Sequence, residues 1–143
     1  MTVINRSALL PHNARQLFDL VSDVESYPRY MEGCIGARIL RAEDGLVEAR
    51  LDVAKGGVTH SFSTRNRMHA ARAITLELID GPFDHFAGRW DFHPLGDSAC
   101  KMSLHLEFTI KGALKGAAVS RLLDRVTNSL VAAVSRRAGQ LYG

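Results

Sequence analysis

Cysteine is scarce in this sequence, and its placement limits the kinds of site that the chain can build. Only Cys34 and Cys100 are present, far apart and outside any spacing typical of metal ligands. This pattern suits a reducing compartment, so we expect two buried thiols, with a single disulfide between them as the alternative.

Histidine is more common, yet it forms no metal-binding motif. Among the six histidines there is no pair with the spacing H-x3-H. His85, His93 and His105 fall on outward strand positions or near loops, where a solvated imidazole is ordinary. The sequence therefore predicts no metal site.

Long apolar runs are also absent. No run reaches the roughly 18 residues of a membrane-spanning helix, and the stretch MTVINRSALLPH has no charged-then-apolar leader with a small-residue cleavage site. We therefore expect a cytoplasmic protein whose contact with the inner membrane surface, if any, is peripheral. The 143 residues, 46% hydrophobic and 23% charged, fit a single folded domain over residues 1–143.

The sequence lacks a catalytic constellation as well. No pair of carboxylates, nucleophile with a base, or phosphate loop stands out, and KGG and LKGAA are predicted turns. We therefore expect a binding protein without enzymatic activity and without a cofactor. The net charge of +3 and the pI near 9.1 permit an acidic partner such as RNA or an anionic membrane surface, but many proteins with neither partner are as basic.

The sequence does contain a series of segments in which apolar and polar residues alternate. In CKMSLHLEFTI the apolar residues Met102, Leu104, Leu106, Phe108 and Ile110 share one face, which predicts a half-buried strand. Six further strands are predicted in TVINRSALL, ARIL, LVEARLDVA, FSTRNRM, AITLELI and FAGRWDF. Because short turn signals join the strands from ARIL onward, consecutive strands should pair as antiparallel hairpins in one curved sheet.

Two helices complete this pattern. NARQLFDLV places Leu17, Leu20 and Val21 on one stripe, and Pro11 and Asn13 mark its start. A second amphipathic stretch, residues 113–142, is long enough to lie across the whole sheet.

A kinked aromatic segment, DVESYPRYMEGC, follows the first helix. Asp23 is expected to cap a short second helix that Pro28 breaks and Gly33 ends. Its tyrosines, Tyr27 and Tyr30, must pack somewhere, either as a plug in the core or as a gate at the open end of the sheet. Glycines in the hairpin loops beside that end permit hinge motion but are equally ordinary turn residues: Gly56, Gly57 and Gly81.

The order β-α-α-β6-α, with the stretches LVSDVESYPRYMEGC, GVTHSFSTRNRM and LIDGPFDHFAGRWDFHPL, resembles the coenzyme Q-binding START-domain family. That family lies within the START-like (Bet v 1-like, polyketide cyclase/dehydrase) superfamily. The resemblance covers essentially the whole chain. Like the pattern itself, it implies an α+β helix-grip fold, in which a curved seven-stranded antiparallel sheet wraps around the long C-terminal helix and leaves a cavity between them.

The resemblance implies that this cavity holds ubiquinone or a related isoprenoid lipid, in support of respiration. The predicted apolar lining consists of Phe62, Met68, Phe83, Trp90, Phe92, Leu104, Leu106, Leu122 and Val126. Inward-facing Thr64 and Asn66 could donate a hydrogen bond to a quinone oxygen, or could bond to backbone or water instead. Alternation alone does not distinguish a ligand-filled cavity from a dry packed core.

A second function also follows from the resemblance, because the family includes a bacterial toxin that binds the large ribosomal subunit, blocks subunit association and inhibits translation. The candidate phosphate contacts are Arg65, Arg67, Arg121, Arg125, Arg136 and Arg137. They are interspersed with acidic residues, including Glu48, Asp52 and Asp124, so they could equally form a solvated surface. A cyclase-type enzyme is a more distant alternative, since no catalytic constellation supports it.

Overall fold

The computed structural model describes residues 1–55, 57–112 and 117–143. Its helices and strands, in chain order, are β1 Thr2–Leu10, α1 Ala14–Ser22, a 3₁₀ helix Val24–Arg29, β2 Cys34–Glu43, β3 Leu46–Lys55, β4 Val58–His69, β5 Ala73–Asp80, β6 Phe83–Pro94, β7 Cys100–Ile110 and α2 Ala117–Tyr142.

All seven strands belong to one antiparallel sheet with the order β1-β7-β6-β5-β4-β3-β2. Consecutive strands from β2 to β7 pair as hairpins, and β1 forms one edge of the sheet by pairing with β7, with Ile4 opposite Leu106. The predicted fold, a curved antiparallel sheet with a long C-terminal helix, is confirmed. It follows from the alternating pattern, because each strand has one apolar face that must be buried.

The second strand is longer than its sequence pattern predicts. The alternation covers only ARIL, whereas β2 runs from Cys34 to Glu43. Register shifts between Cys34 and Gly36 and between Ile39 and Arg41 interrupt the pairing with β3. Each such irregularity moves the side chains that follow it to the opposite face, which conceals the strand from a search for strict alternation.

The first helix begins where its capping residues predict. The side chain of Asn13 accepts a hydrogen bond from the backbone N–H of Gln16 at 2.8 Å, and the Gln16 side chain accepts one from the Asn13 N–H at 3.0 Å. This reciprocal pair satisfies two N–H groups that a helix start leaves open. The apolar stripe of α1, with Leu17 fully buried, packs on the sheet.

The kinked segment forms a 3₁₀ helix that contains Pro28. Asp23 does not cap its backbone, contrary to the sequence prediction. Instead the Asp23 carboxylate accepts a hydrogen bond from the hydroxyl of Ser26 at 2.6 Å. Gly33 follows with a φ of +84°, and a Cβ there would lie 2.9 Å from Cγ2 of Val126. Glycine is therefore required where this segment meets α2.

The C-terminal helix lies against the concave face of the sheet. Residues 113–116, where the sequence pattern begins this helix, lie outside the described residues. The buried stripe of α2 includes Leu122, Val126, Val134 and Ala138. At its C-terminal end, the hydroxyl of Tyr142 donates a hydrogen bond to the carbonyl of Gln16 at 3.3 Å, which ties α2 to α1.

Both cysteines are buried and free, as the sequence predicts. Within residues 1–55, 57–112 and 117–143, no helix combines the length and apolar character needed to cross a membrane.

Candidate ligand-binding cavity

A cavity lies between the concave face of the sheet and the middle of α2. Its volume is about 90 Å³, several times the roughly 10–15 Å³ that a single water requires. The end of α1 and the 3₁₀ helix close one side of it. Its lining consists of Val21, Ser22, Val24, Tyr27, Met31, Val47, Ala49, Leu51, Phe62, Thr64, Asn66, Met68, Ile74, Leu76, Phe86, Trp90, Leu104, Leu106, Val126, Thr127 and Leu130.

The floor of the cavity depends on a glycine in β6. Gly88 lies between the inward residues Phe86 and Trp90, and a Cβ there would approach Cδ2 of Leu106 to 2.5 Å and Cδ1 of Leu76 to 3.1 Å. Without a side chain at Gly88, these two leucines pack directly against the backbone of β6. The glycine thus keeps room above the sheet while the floor stays apolar.

Few polar groups reach this apolar lining, and most of them already donate a hydrogen bond. The hydroxyl of Ser22 donates to the carbonyl of Phe18 at 2.7 Å, and that of Thr127 donates to the carbonyl of Asp124 at 3.2 Å. Thr64 on β4 donates to Oδ1 of Asn66 at 2.7 Å. These side chains therefore add little polarity to the cavity.

Most of the predicted site residues line the cavity. These are Tyr27, Phe62, Thr64, Asn66, Met68, Trp90, Leu104, Leu106 and Val126. The predicted site residues that do not line it are Tyr30, Phe83, Phe92 and Leu122.

Three of the residues outside the lining are buried in the core beside the cavity. Phe92 packs edge-on against Phe18 of α1, with ring centroids 5.7 Å apart. Phe83 contacts Phe108 in a cluster of aromatic rings at the start of β6. Leu122 is 2% exposed and lies in the buried stripe of α2. Inward direction on a strand or helix is thus not sufficient to reach the cavity, because neighbouring elements cover both ends of the concave face.

Several lining residues were not among the predicted site residues. Val47, Ala49 and Leu51 of β3 and Ile74 and Leu76 of β5 all face the cavity. The alternation of LVEARLDVA identifies the first three as inward, and AITLELI carries the same signal. What the pattern does not give is the curvature that brings these middle strands under α2.

The two tyrosines of the kinked segment occupy different environments. Tyr27 lines the cavity, and its hydroxyl donates a hydrogen bond to the carbonyl of Val21. Burial raises the pKa of Tyr27 well above its usual value, so the hydroxyl keeps its proton. Tyr30 lies outside the lining, and the Arg137 guanidinium is 5.5 Å from the centroid of its ring. Tyr30 therefore contacts α2, whereas Tyr27 lies at the cavity, and a gating role for either tyrosine stays a prediction.

The buried hydroxyl of Tyr30 and Nε of Arg137 have no hydrogen-bond partner within the described part of the chain. We expect Tyr30→Phe to raise the free energy of unfolding by about 1 kcal/mol, because an unsatisfied buried polar group is costly. Tyr27→Phe is the matched control and should lower it by about 1 kcal/mol, since it removes the hydrogen bond to Val21. Urea denaturation measures both changes, and the same sign for both variants would contradict the assignment.

The histidines on the outer face of the sheet form polar contacts. Nε2 of His85 lies 3.2 Å from Oε1 of Glu107, and Nδ1 of His105 lies 2.6 Å from Oδ1 of Asn5. Hydrogen bonding to His85, aided by His105, lowers the pKa of Glu107. Among the residues that the structure describes, no group of three or more His, Cys, Asp or Glu side chains is arranged to hold a metal ion.

Comparison with known proteins gives a family and full-length relatives. Residues 10–135 match the family described as polyketide cyclase/dehydrase and lipid transport. The ribosome association toxin RatA of Pseudomonas aeruginosa is 43% identical over 99% of this chain and 99% of the relative. RatA of Escherichia coli K12 is 39% identical over 99% of this chain and 90% of the relative. The mitochondrial coenzyme Q-binding protein COQ10 homolog B of Xenopus laevis is 26% identical over 97% of this chain and 59% of the relative.

Solved structures extend these similarities. An 18 kDa protein from Caulobacter crescentus is 34% identical, with a TM-score of 0.75, covering 100% of this chain and 99% of that one. The ZhuI aromatase/cyclase of a Streptomyces species has a TM-score of 0.83 at 17% identity, covering 97% of this chain and 94% of that one. At that identity the likeness shows a shared fold and does not extend to activity. With its seven-stranded sheet, long C-terminal helix and intervening apolar cavity, the chain belongs to the polyketide cyclase/dehydrase and lipid transport family.

Proposed function

We propose that this protein binds ubiquinone or a related isoprenoid lipid in its cavity, without catalysis, and thereby supports respiration. The observation that carries this proposal is the cavity lining, which is apolar apart from a few side chains. The similarity to a coenzyme Q-binding protein, which extends over nearly the whole chain, supports the same ligand class.

The energetics favour such a ligand. Removing an apolar chain from water contributes about 0.8 kcal/mol per CH2 group, so even partial enclosure of an isoprenoid tail stabilises the complex without precise polar recognition. Trp90, Leu104 and Leu106 provide a continuous apolar wall from two adjacent strands. A quinone ring placed there would contact the indole directly.

Trp90 offers a direct test because it is the only tryptophan in the chain and it lines the cavity. Decylubiquinone, a short-tailed ubiquinone, should quench its fluorescence saturably, with a midpoint in the micromolar range or below. A competing long-chain hydrocarbon should reverse the quenching. Quenching that rises linearly without saturation would show collision in solution and would reject the proposal.

A second candidate function is binding to the large ribosomal subunit, with inhibition of subunit association. The specific observation in its favour is the 43% identity to a ribosome association toxin over nearly the whole of both chains. Three of the arginines that are candidates for phosphate contacts already pair with a carboxylate. Arg65 pairs with Glu48 at 2.9 Å, Arg67 pairs with Glu77 at 3.2 Å and Arg125 pairs with Glu32 at 3.1 Å, so a carboxylate faces each of these guanidinium groups.

Arg121 and Arg136 on the exposed face of α2 are better candidates, because no carboxylate pairs with them within the described residues. Reversing both to glutamate should lower cosedimentation with large subunits about tenfold or more, since phosphate contacts contribute strongly at low salt. The wild-type interaction should also weaken steeply as salt rises, while quenching of Trp90 by decylubiquinone should barely change.

The control reverses Arg41 and Arg89, exposed residues of β2 and β6 that carry the same charge and each pair with a carboxylate on the same strand. If that variant loses cosedimentation as strongly as the α2 variant, net charge rather than this helix face determines binding. If the wild type does not cosediment at low salt, the ribosomal function is excluded for this protein.

A further inference from the structure

We propose that the cavity selects ligands that carry a carbonyl oxygen, and that the donor to this oxygen is the side-chain amide of Asn66. This inference rests on the proposed function, since it assumes that the cavity binds an apolar molecule. It adds a chemical requirement that an apolar lining alone does not impose.

Asn66 lies among apolar residues of the cavity lining. This residue lies on β4, opposite Val47 of β3 and Leu76 of β5, and all three side chains line the cavity. Its side chain is 8% exposed, so little of it meets bulk solvent. A carboxamide in such surroundings is costly to bury unless both its oxygen and its nitrogen are hydrogen-bonded.

Only the oxygen of this carboxamide has a partner. The hydroxyl of Thr64, two residues earlier on the same strand, donates to Oδ1 of Asn66 at 2.7 Å. This bond orients the amide, with Oδ1 toward Thr64 and Nδ2 on the other side of the group. The N–H groups of Asn66 Nδ2 make no hydrogen bond within the described part of the chain, and the Nδ2 atom is not fully enclosed by protein. The amide N–H groups therefore reach open space.

The hydroxyl side chains of the lining do not duplicate this donor. The hydroxyls of Ser22, Tyr27 and Thr127 each donate to a backbone carbonyl. A hydroxyl has one proton, so each of these groups is already committed as a donor. Within the described lining, the side-chain donors left for a ligand are thus the amide of Asn66 and the indole N–H of Trp90.

The chemistry of that ligand follows from the donor. A ligand oxygen that only accepts, such as a quinone or ketone carbonyl, satisfies the amide and presents no proton of its own. A pure hydrocarbon of the same shape would leave the buried amide without a partner and would lose the corresponding free energy. The cavity should therefore favour an oxygenated ligand over its hydrocarbon counterpart, even though both bury the same apolar surface.

Duroquinone and durene provide matched probes, since both are flat six-membered rings with four methyl groups and only duroquinone carries two carbonyl oxygens. Duroquinone has no free ring position for addition of a thiol, which protects the measurement from reaction with Cys34 or Cys100. Equilibrium dialysis measures both ligands without relying on fluorescence. We expect the wild-type protein to bind duroquinone about tenfold more tightly than durene, the ratio that one hydrogen bond supplies.

Asn66→Leu keeps the branched shape and removes the amide, so it should weaken duroquinone binding about tenfold and should not weaken durene binding, because durene then leaves no amide without a partner. Thr64→Val removes the bond that orients the amide and should weaken duroquinone binding by a smaller factor, again without effect on durene. Asn128→Leu, on the exposed face of α2, is the matched control and should change neither.

The outcomes separate this inference from the function on which it rests. Equal affinity for duroquinone in the wild type and in Asn66→Leu, with both ligands bound, overturns the role of Asn66 and leaves the apolar cavity intact as a binding site. Loss of durene as well as duroquinone in a folded Asn66→Leu protein also overturns it, because the residue would then shape the cavity. Failure of the wild type to bind either probe overturns both proposals.

Discussion

Replacing Ala49 with phenylalanine is expected to reduce the affinity for decylubiquinone by at least a hundredfold while the protein remains folded. Ala49 is 3% exposed on β3, between Ile39 of β2 and Thr64 of β4, and its methyl group faces the cavity. A benzyl side chain at this position would occupy the space that a quinone ring requires. Because it fills existing space, its effect on stability should stay within about 1–3 kcal/mol.

Titration of Trp90 fluorescence checks this result, and urea denaturation verifies folding. Ala132→Phe, on the exposed face of α2, introduces the same side chain away from the cavity and should bind decylubiquinone like the wild type. Undiminished quenching in a folded Ala49→Phe protein would place the ligand elsewhere and would remove the main support for a cavity-bound quinone.

Replacing Phe92 with alanine should produce the largest loss of stability among the variants considered, about 3–5 kcal/mol. Its ring is 1% exposed and packs against Phe18 of α1 and Trp90 of the same strand, with centroids 5.7 and 6.4 Å away. Since Phe92 does not line the cavity, the affinity of the folded variant for decylubiquinone should stay within about threefold of the wild type.

Phe62→Ala is the informative counterpart, because Phe62 lines the cavity and is only partly buried. It should cost less stability than Phe92→Ala and weaken decylubiquinone binding more. Urea denaturation and fluorescence titration at a temperature where both variants are folded give the two quantities. If Phe92→Ala abolishes binding while folded, the cavity extends beneath α1 and Phe92 belongs to its lining.

The fold could be predicted from the sequence to a large extent, because each strand must bury one apolar face and this requirement repeats along the chain. Alternation in CKMSLHLEFTI gives both the limits of β7 and its buried face, with Met102 and Phe108 fully buried. Asn13 gives the start of α1 in the same way, through its cap. The strand that was only partly predicted, β2, is the one whose bulges break the alternation.

The cavity could be predicted only in part. A period of two identifies which side chains point inward, but the cavity forms where curvature separates those side chains from α2. That distinction places Trp90 in the lining and Phe92 two residues later in the packed core. The environment of Tyr30 was likewise not predictable, because it depends on a contact with Arg137, which is far from Tyr30 in the sequence.

The pairing of β1 with β7 has a consequence for how the chain folds. Asn5 and His105 face each other across these strands although 100 residues separate them in sequence. Closing a loop of that length costs entropy before the contacts are gained, so this pairing slows folding compared with the hairpins between β2 and β7. During synthesis β1 emerges first but acquires its partner last. The apolar side chain of Ile4 stays exposed until translation has passed Ile110, and for that interval the nascent chain presents an unpaired strand to its surroundings.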